Sequence, residues 1–153
     1  ETARKPRLNE QDGIDYHFLS LTEFKRKINS DFFLEWEEVY ENNFYGSLKS
    51  DVKKLWDKGQ TVVFDIDVYG GIRLKEKYAL NTLSIFIMPP SIEVLEDRLR
   101  KRGTDNEERI HDRLAKAKEE ISFATNFDHV IVNDQIETAF KQIQLLVAKF
   151  IRR

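Results

Sequence analysis

The sequence predicts an α/β fold, a parallel sheet layered with helices, and three observations carry that prediction. Residues 61–64 (TVVF) and 83–88 (LSIFIM) are nearly continuous apolar runs, the pattern of strands buried on both faces. A shorter run, residues 130–132 (VIV), repeats it near the C-terminus. Stretches of helical period separate these runs, so the order from residue 61 reads β-α-β-α-α-β-α, and right-handed crossovers suit it. Three core strands are few for such a sheet, and the part before residue 60 reads as an inserted lobe.

The chain has 153 residues, the length of one domain that buries about 70% of its unfolded surface without staples. It has no cysteine, which excludes a disulfide framework, a thiolate metal site and a Cys nucleophile. Its three histidines, His17, His111 and His129, are far apart, which argues against a zinc cluster. Lys and Arg (25) nearly balance Asp and Glu (27), so no gross basic surface points to nucleic acid. No apolar run approaches the ~18 residues of a membrane span and no signal peptide is visible. The expectation is a soluble, cytoplasmic protein.

In chain order, residues 1–10 are polar, with Arg4, Lys5 and Arg7 around Pro6. They are an anion site or a solvated terminus. Residues 12–18 (DGIDYHF) read as a turn into a strand, with Ile14, Tyr16 and Phe18 on one side. Ser20 and Glu23 form a capping box, so a helix is expected over 21–29. Residues 32–39 (FFLEWEEV) read as a strand with Phe33, Glu35, Glu37 and Val39 on one face. Glu35, between Phe33 and Trp36, is either a buried, paired acid or an acid exposed on an edge strand. Residues 40–47 are turn-rich, and Ser47 is placed to cap a helix carrying Leu48, Val52, Leu55 and Trp56 up to Gly59.

The strand at 61–64 runs on into Asp65, Ile66 and Asp67, ahead of Gly70 and Gly71. The two-residue period of a strand puts both carboxylates on one face at its C-terminal end, where open α/β sheets bind ligands. Such a pair suits Mg²⁺, a sugar hydroxyl or a base edge. The alternative is that one acid caps the next helix, expected over 72–78, and the other is solvated. Pro89, Pro90 and Ser91 end the 83–88 strand and open a helix with Ile92, Leu95 and Leu99 inward, stopped by Gly103. Thr104 and Glu107 predict a second capping box before a long helix bearing Ile110, Leu114, Ala117, Ile121 and Ala124. Asp134 and Glu137 predict the start of the last helix, whose stripe includes Ile136, Ala139, Phe140 and Ile143.

Two arginine rows border these helices. Arg98 and Arg102, like Arg109 and Arg113, are four apart and stack on a helix surface. Guanidinium groups beside an apolar face snorkel along it and match phosphate oxygens bidentately. The rows are either a polyphosphate clamp or simple ion pairs with Glu93, Asp97, Asp105 and Asp112.

Eight segments then carry a resemblance, in order and over essentially the whole chain: RKPR, DGIDYHF, FLEWEEV, FYGS, DIDVYGG, PPS, RLRKRGTD and VIVND. Together they resemble bacterial guanylate kinases. The resemblance implies a P-loop nucleoside monophosphate kinase-like α/β core, a small mixed α+β GMP-binding lobe and a helical lid. The lobe would be residues 1–58, the core 59–91 and 124–153, and the lid 92–123. It implies ATP-dependent phosphorylation of GMP to GDP, with Mg²⁺ carried on ATP. Arg4, Arg7, Tyr16 and Tyr45 would hold the GMP phosphate, and Glu35, Ser47 and Asp67 the guanine. Arg98, Arg102 and Arg113 would be the catalytic lid arginines, with Arg98, Arg102 and Asn133 towards ATP. No residue is expected to bind the metal directly, and Asp65 would lie beside its hydration sphere.

The chain departs from the family pattern in one respect. These residues contain no G-x-x-x-x-G-K-[ST] loop, which with its flanking strands and helix takes roughly 30 residues or more. The expectation is a shortened, inactive piece of such an enzyme. The competing expectation is a guanylate-kinase-like module that binds protein partners without catalysis, although the lid arginines and Asp67 favour an enzyme parent.

Overall fold

The structure, a computed structural model, describes residues 1–152. The chain divides into two compact units, Glu1–Leu74 and Lys75 onward.

In the first unit, helix α1 (Leu21–Asn29) follows Ser20, whose hydroxyl accepts from the Glu23 amide, as the capping box predicts. Strands β1 (Phe33–Tyr40) and β2 (Asn43–Leu48) form an antiparallel hairpin. Its tight turn places Asn42 at φ +59°, a left-handed conformation that Asn tolerates better than most residues. Helices α2 (Lys49–Asp57) and α3 (Val68–Lys77) follow, the latter running past Leu74 into the second unit. Phe24, Phe33 and Phe44 make the core, the first two stacked with ring centroids 4.4 Å apart. Each such buried aromatic contributes about 1.5–3 kcal/mol relative to exposure.

The second unit pairs β3 (Ile85–Met88) and β4 (His129–Val132) in parallel register, Phe86 opposite Val130 and Ile87 opposite Ile131. Helices α4 (Ile92–Arg102) and α5 (Glu107–Ile121) form a hairpin, and α6 (Ile136–Ile151) closes the unit. Gly103 ends α4 at φ +65°, where a side chain would be strained. Phe86, Leu99, Ile110, Ile131 and Ala139 are buried. A knot of polar bonds fixes the base of the sheet. Asp128 accepts from the Ser84 amide and hydroxyl and from the Lys75 ammonium, while its own amide donates to the Ser84 hydroxyl.

Several expectations are corrected. Residues 61–67 are not a strand, because no other described strand hydrogen-bonds to them, and Val63 is 85% exposed. An apolar run becomes a strand only where a neighbour completes its ladder, so the parallel sheet has two strands among the described residues. Residues 12–18 make isolated bridges instead of a strand. There Asp12 and Asp15 accept from the Phe18 and Gln11 amides and fold the segment into turns. Residues 43–48, read as turn, form β2. Ser47 does not cap α2, whose N-cap is Leu48, because its hydroxyl donates to Glu35. Asn106, not Thr104, caps α5, its side chain accepting from the Arg109 amide. The N-cap of α6 is Gln135, without a side-chain cap bond, so Asp134 does not serve there. Ile136 and Phe140, expected inward, are exposed.

Candidate functional site

The first unit brings two constellations together. One is built on the β1–β2 hairpin. Its register sets Glu35 opposite Ser47, and the Ser47 hydroxyl donates to Glu35 Oε1 at 2.7 Å. Glu35 is only 7% exposed, so it is the buried, paired acid of the two alternatives. Burial pushes its carboxyl above the usual range, and the charge of Asp67 adds to this against the Ser47 bond and Arg73.

Asp67 comes from the start of α3. Its Oδ1 accepts from the Gly70 amide at 2.9 Å, and its carbonyl accepts from Gly71. The N-cap bond explains why α3 begins at Val68 with both glycines inside it, instead of turning there first. Asp65, by contrast, is exposed. Capping by one acid and solvation of the other is thus what the structure shows, yet Asp67 also faces Glu35. A Cβ at Gly70 would stand 3.0 Å from Asp67 Oδ1 and 3.2 Å from Glu35 Oε2, so both carboxylates close on that glycine.

The second constellation gathers around Arg4. Its Nε donates to the Tyr45 hydroxyl at 2.8 Å, and its guanidinium lies 5.1 Å from the centroid of Tyr16 and 5.7 Å from that of Tyr45. Tyr16 and Tyr45 meet edge to face at 6.0 Å. Arg7 is close by but projects to solvent, its side chain 66% exposed. The sequence reading missed Glu10, whose two oxygens accept bidentately from the Arg4 fork at 2.6 Å each and whose Oε2 also takes the Arg7 amide. The bond to Glu10 raises the Arg4 pKa, and the bond to Arg4, then the Arg7 amide, lower the Glu10 carboxyl to about 2. The available signal was an acid three residues beyond Arg7, across the turn at Leu8 and Asn9. Arg73 was also missed. It donates to the Trp36 carbonyl and to Glu37, tying α3 to β1.

In the second unit, Arg98 reaches the end of β4, donating to the carbonyls of Asn133 at 2.7 Å and Asp134 at 3.0 Å. Arg98 and Asn133 are therefore together. Arg102 and Arg113 converge elsewhere, on Asp105. Among the described residues no group of three or more His, Cys, Asp or Glu is placed to hold a metal ion. No helix among them is long and apolar enough to cross a membrane.

The comparisons with known proteins place this α/β chain in the class of nucleoside monophosphate kinases. The family model for guanylate kinase matches residues 1–150. The guanylate kinase of Bacteroides fragilis is 49% identical over 150 residues, covering 98% of this chain and 74% of that protein. That of Porphyromonas gingivalis is 47% identical over 152 residues, covering 99% of this chain and 81% of that protein. The crystal structure of guanylate kinase from Anaplasma phagocytophilum superposes with a TM-score of 0.77 at 36% identity, covering 97% of this chain and 72% of that one. The chain belongs to the guanylate kinase family.

Proposed function

We propose that the protein transfers the γ-phosphoryl group of Mg·ATP to a phosphate oxygen of GMP, giving GDP and ADP. The observation that carries this is the Glu35–Ser47 pair, a buried acceptor beside Asp67 in the same unit as Arg4, Tyr16 and Tyr45. Guanine presents N1–H and its 2-amino group side by side, and a carboxylate takes both. Ser47 lies beside O6, and Asp67 closes the base pocket. Arg4, Arg7, Tyr16 and Tyr45 hold the phosphate. Arg98, Arg102 and Arg113, on the lid at 92–123, neutralise the charge of the transferring group, with Arg98, Arg102 and Asn133 towards ATP. Mg²⁺ bound with ATP would supply charge neutralisation at the phosphates, with no direct protein ligand and with Asp65 near its hydration sphere. The three-part division into lobe, core and lid, and a cytoplasmic location, belong to the same reading.

Calorimetry of the 153-residue chain with GMP and AMP tests the base assignment, and GMP must bind more tightly. Equal binding of the two nucleotides would refute it. Phosphoryl transfer is tested by GMP-dependent ADP release. These residues alone should read background, because they hold no G-x-x-x-x-G-K-[ST] loop to cradle the phosphates. Joined to that segment of a relative they should turn over.

A further inference from the structure

We propose that Asp105 is a positioning residue that holds Arg102 and Arg113 together as one phosphate-binding unit. This rests on the proposed role of those two arginines in neutralising the transferring phosphoryl group.

The geometry singles out Asp105 among the acids near the two helices. Its Oδ2 lies 2.7 Å from Arg102 Nη2 and 3.1 Å from Arg113 Nε, so a single oxygen joins the last turn of α4 to the middle of α5. The carboxylate is 5% exposed, whereas the Arg102 and Arg113 side chains are 50% and 27% exposed. The acid is thus enclosed while the cations reach outward. Three other ion pairs of the hairpin differ. Arg100 with Glu96 and Glu107, and Lys101 with Asp97, are pairs between exposed side chains.

The surrounding structure supports the same role. Gly103 lets the chain reverse after α4, and Asn106 caps α5, so Asp105 is fixed from both sides of the connection. The Thr104 hydroxyl holds Arg102 Nε at 3.0 Å. Burial would push the Asp105 carboxyl up, but the bond to Arg102 and the charges of Arg113, Arg102 and Arg109 outweigh it and hold it low. The Asp105 carboxylate stands between the two guanidinium groups. Two long cations that would otherwise repel and sample many rotamers are ordered before an anion arrives, which lowers the entropic cost of binding it.

The experiment follows the arginine Nε–Hε signals of the ¹⁵N-labelled chain in nuclear magnetic resonance, titrated with inorganic tripolyphosphate at low salt. The Arg102→Lys and Arg113→Lys variants assign the signals. In the unsubstituted chain both signals should shift along one saturation curve. Asp105→Asn removes a negative charge, so electrostatics alone demands tighter anion binding. Positioning demands the reverse, a loss of about tenfold, the equivalent of one charge-assisted anchor. Asp105→Glu keeps the charge but displaces it, and should also bind more weakly. It decides the matter should Asp105→Asn unsettle the hairpin. Tripolyphosphate bound as tightly or more tightly by Asp105→Asn, or equally by Asp105→Glu, would overturn the positioning role and leave the arginine reading standing. Arg102 and Arg113 signals unmoved in the unsubstituted chain would overturn both.

Discussion

Glu35→Gln separates binding from folding, because the two effects have opposite signs. The carboxylate is buried, accepts from Ser47 through Oε1, and turns Oε2 towards the edge shared with Asp67 and Gly70. An amide keeps an acceptor for Ser47 but places a donor where guanine also donates. GMP affinity should fall by about 1.5–3 kcal/mol, the range of a charge-assisted hydrogen bond, which is roughly 10- to 150-fold. AMP, which lacks both donors, should change far less. Stability should move the other way. The folded-state pKa of Glu35 lies above its usual 4.5, so just above that pH the folded protein holds more protons than the unfolded chain. Stability therefore falls as pH rises through this window, and the full deficit stands above the folded pKa. Gln carries no such charge, so at neutral pH the variant should melt higher, each kcal/mol gained reading as about 2–4 °C. The gain should vanish below the usual carboxylate range. Calorimetry with GMP and AMP, and melting curves at acid and neutral pH, measure both. Equal losses for the two nucleotides together with a lower melting temperature would refute the reasoning, since Glu35 would then support the hairpin and not read a base.

Four further outcomes follow from the same unit. Gly70→Ala adds a methyl 3.0 Å from Asp67 Oδ1 and 3.2 Å from Glu35 Oε2, so calorimetry should show weaker GMP binding while circular dichroism shows helix content kept. Gly46→Ala puts Cβ 2.8 Å from the Phe33 ring and 3.0 Å from Trp36 Cβ, and the overpacking should cost about 1–3 kcal/mol in denaturant unfolding. Arg7→Ala should weaken GMP but not guanosine and leave the melting temperature unchanged, because Arg7 is exposed. Arg4→Ala should also lower the melting temperature, since Arg4 holds Tyr45 and Glu10, and titration of Glu10 should rise from about 2 towards 4.5.

Helix periodicity, caps and glycine stops were legible wherever a local signal sufficed. Ser20, Ser91 and Gly103 bound their helices as read, because each acts within one turn of chain. The caps of α5 and α6 were misplaced by two residues and one, while the strand misreadings depended on partners distant in sequence. The run at 61–64 looks like a buried strand by composition, but its state is decided by a ladder that no local pattern reveals. β2 was hidden for a related reason. Gly46 and the Asn pair read as turn residues, yet Gly46 is there because the hairpin leaves no room for a side chain against Phe33. Of the candidate site, the residue types were visible and the pairings were not. Asp67 looked like half of a matched pair with Asp65, whereas the structure sets it near Glu35, half the first unit away in sequence.

The two constellations of that unit follow opposite electrostatic logic, and this bears on how a nucleotide would be recognised. Around Glu35 the charge is under-compensated. Burial and a neighbouring carboxylate hold its pKa up, so the fold is weakened until a ligand brings donors. Around Arg4 the charge is already neutralised, because Glu10 fills its fork, Tyr45 takes Nε and the Lys5 carbonyl takes Nη1. Of the five guanidinium N–H groups, four have partners among the described residues. On the proposed reading, a phosphate would meet Arg4 as a fixed post beside two tyrosines. The more exposed positive charge is that of Arg7, 3.9 Å from the same Glu10 carboxylate. On that reading, base selection would reside in a preformed, destabilising acceptor, and the phosphate would meet a cluster built before the ligand arrives, with Arg7 at its exposed edge.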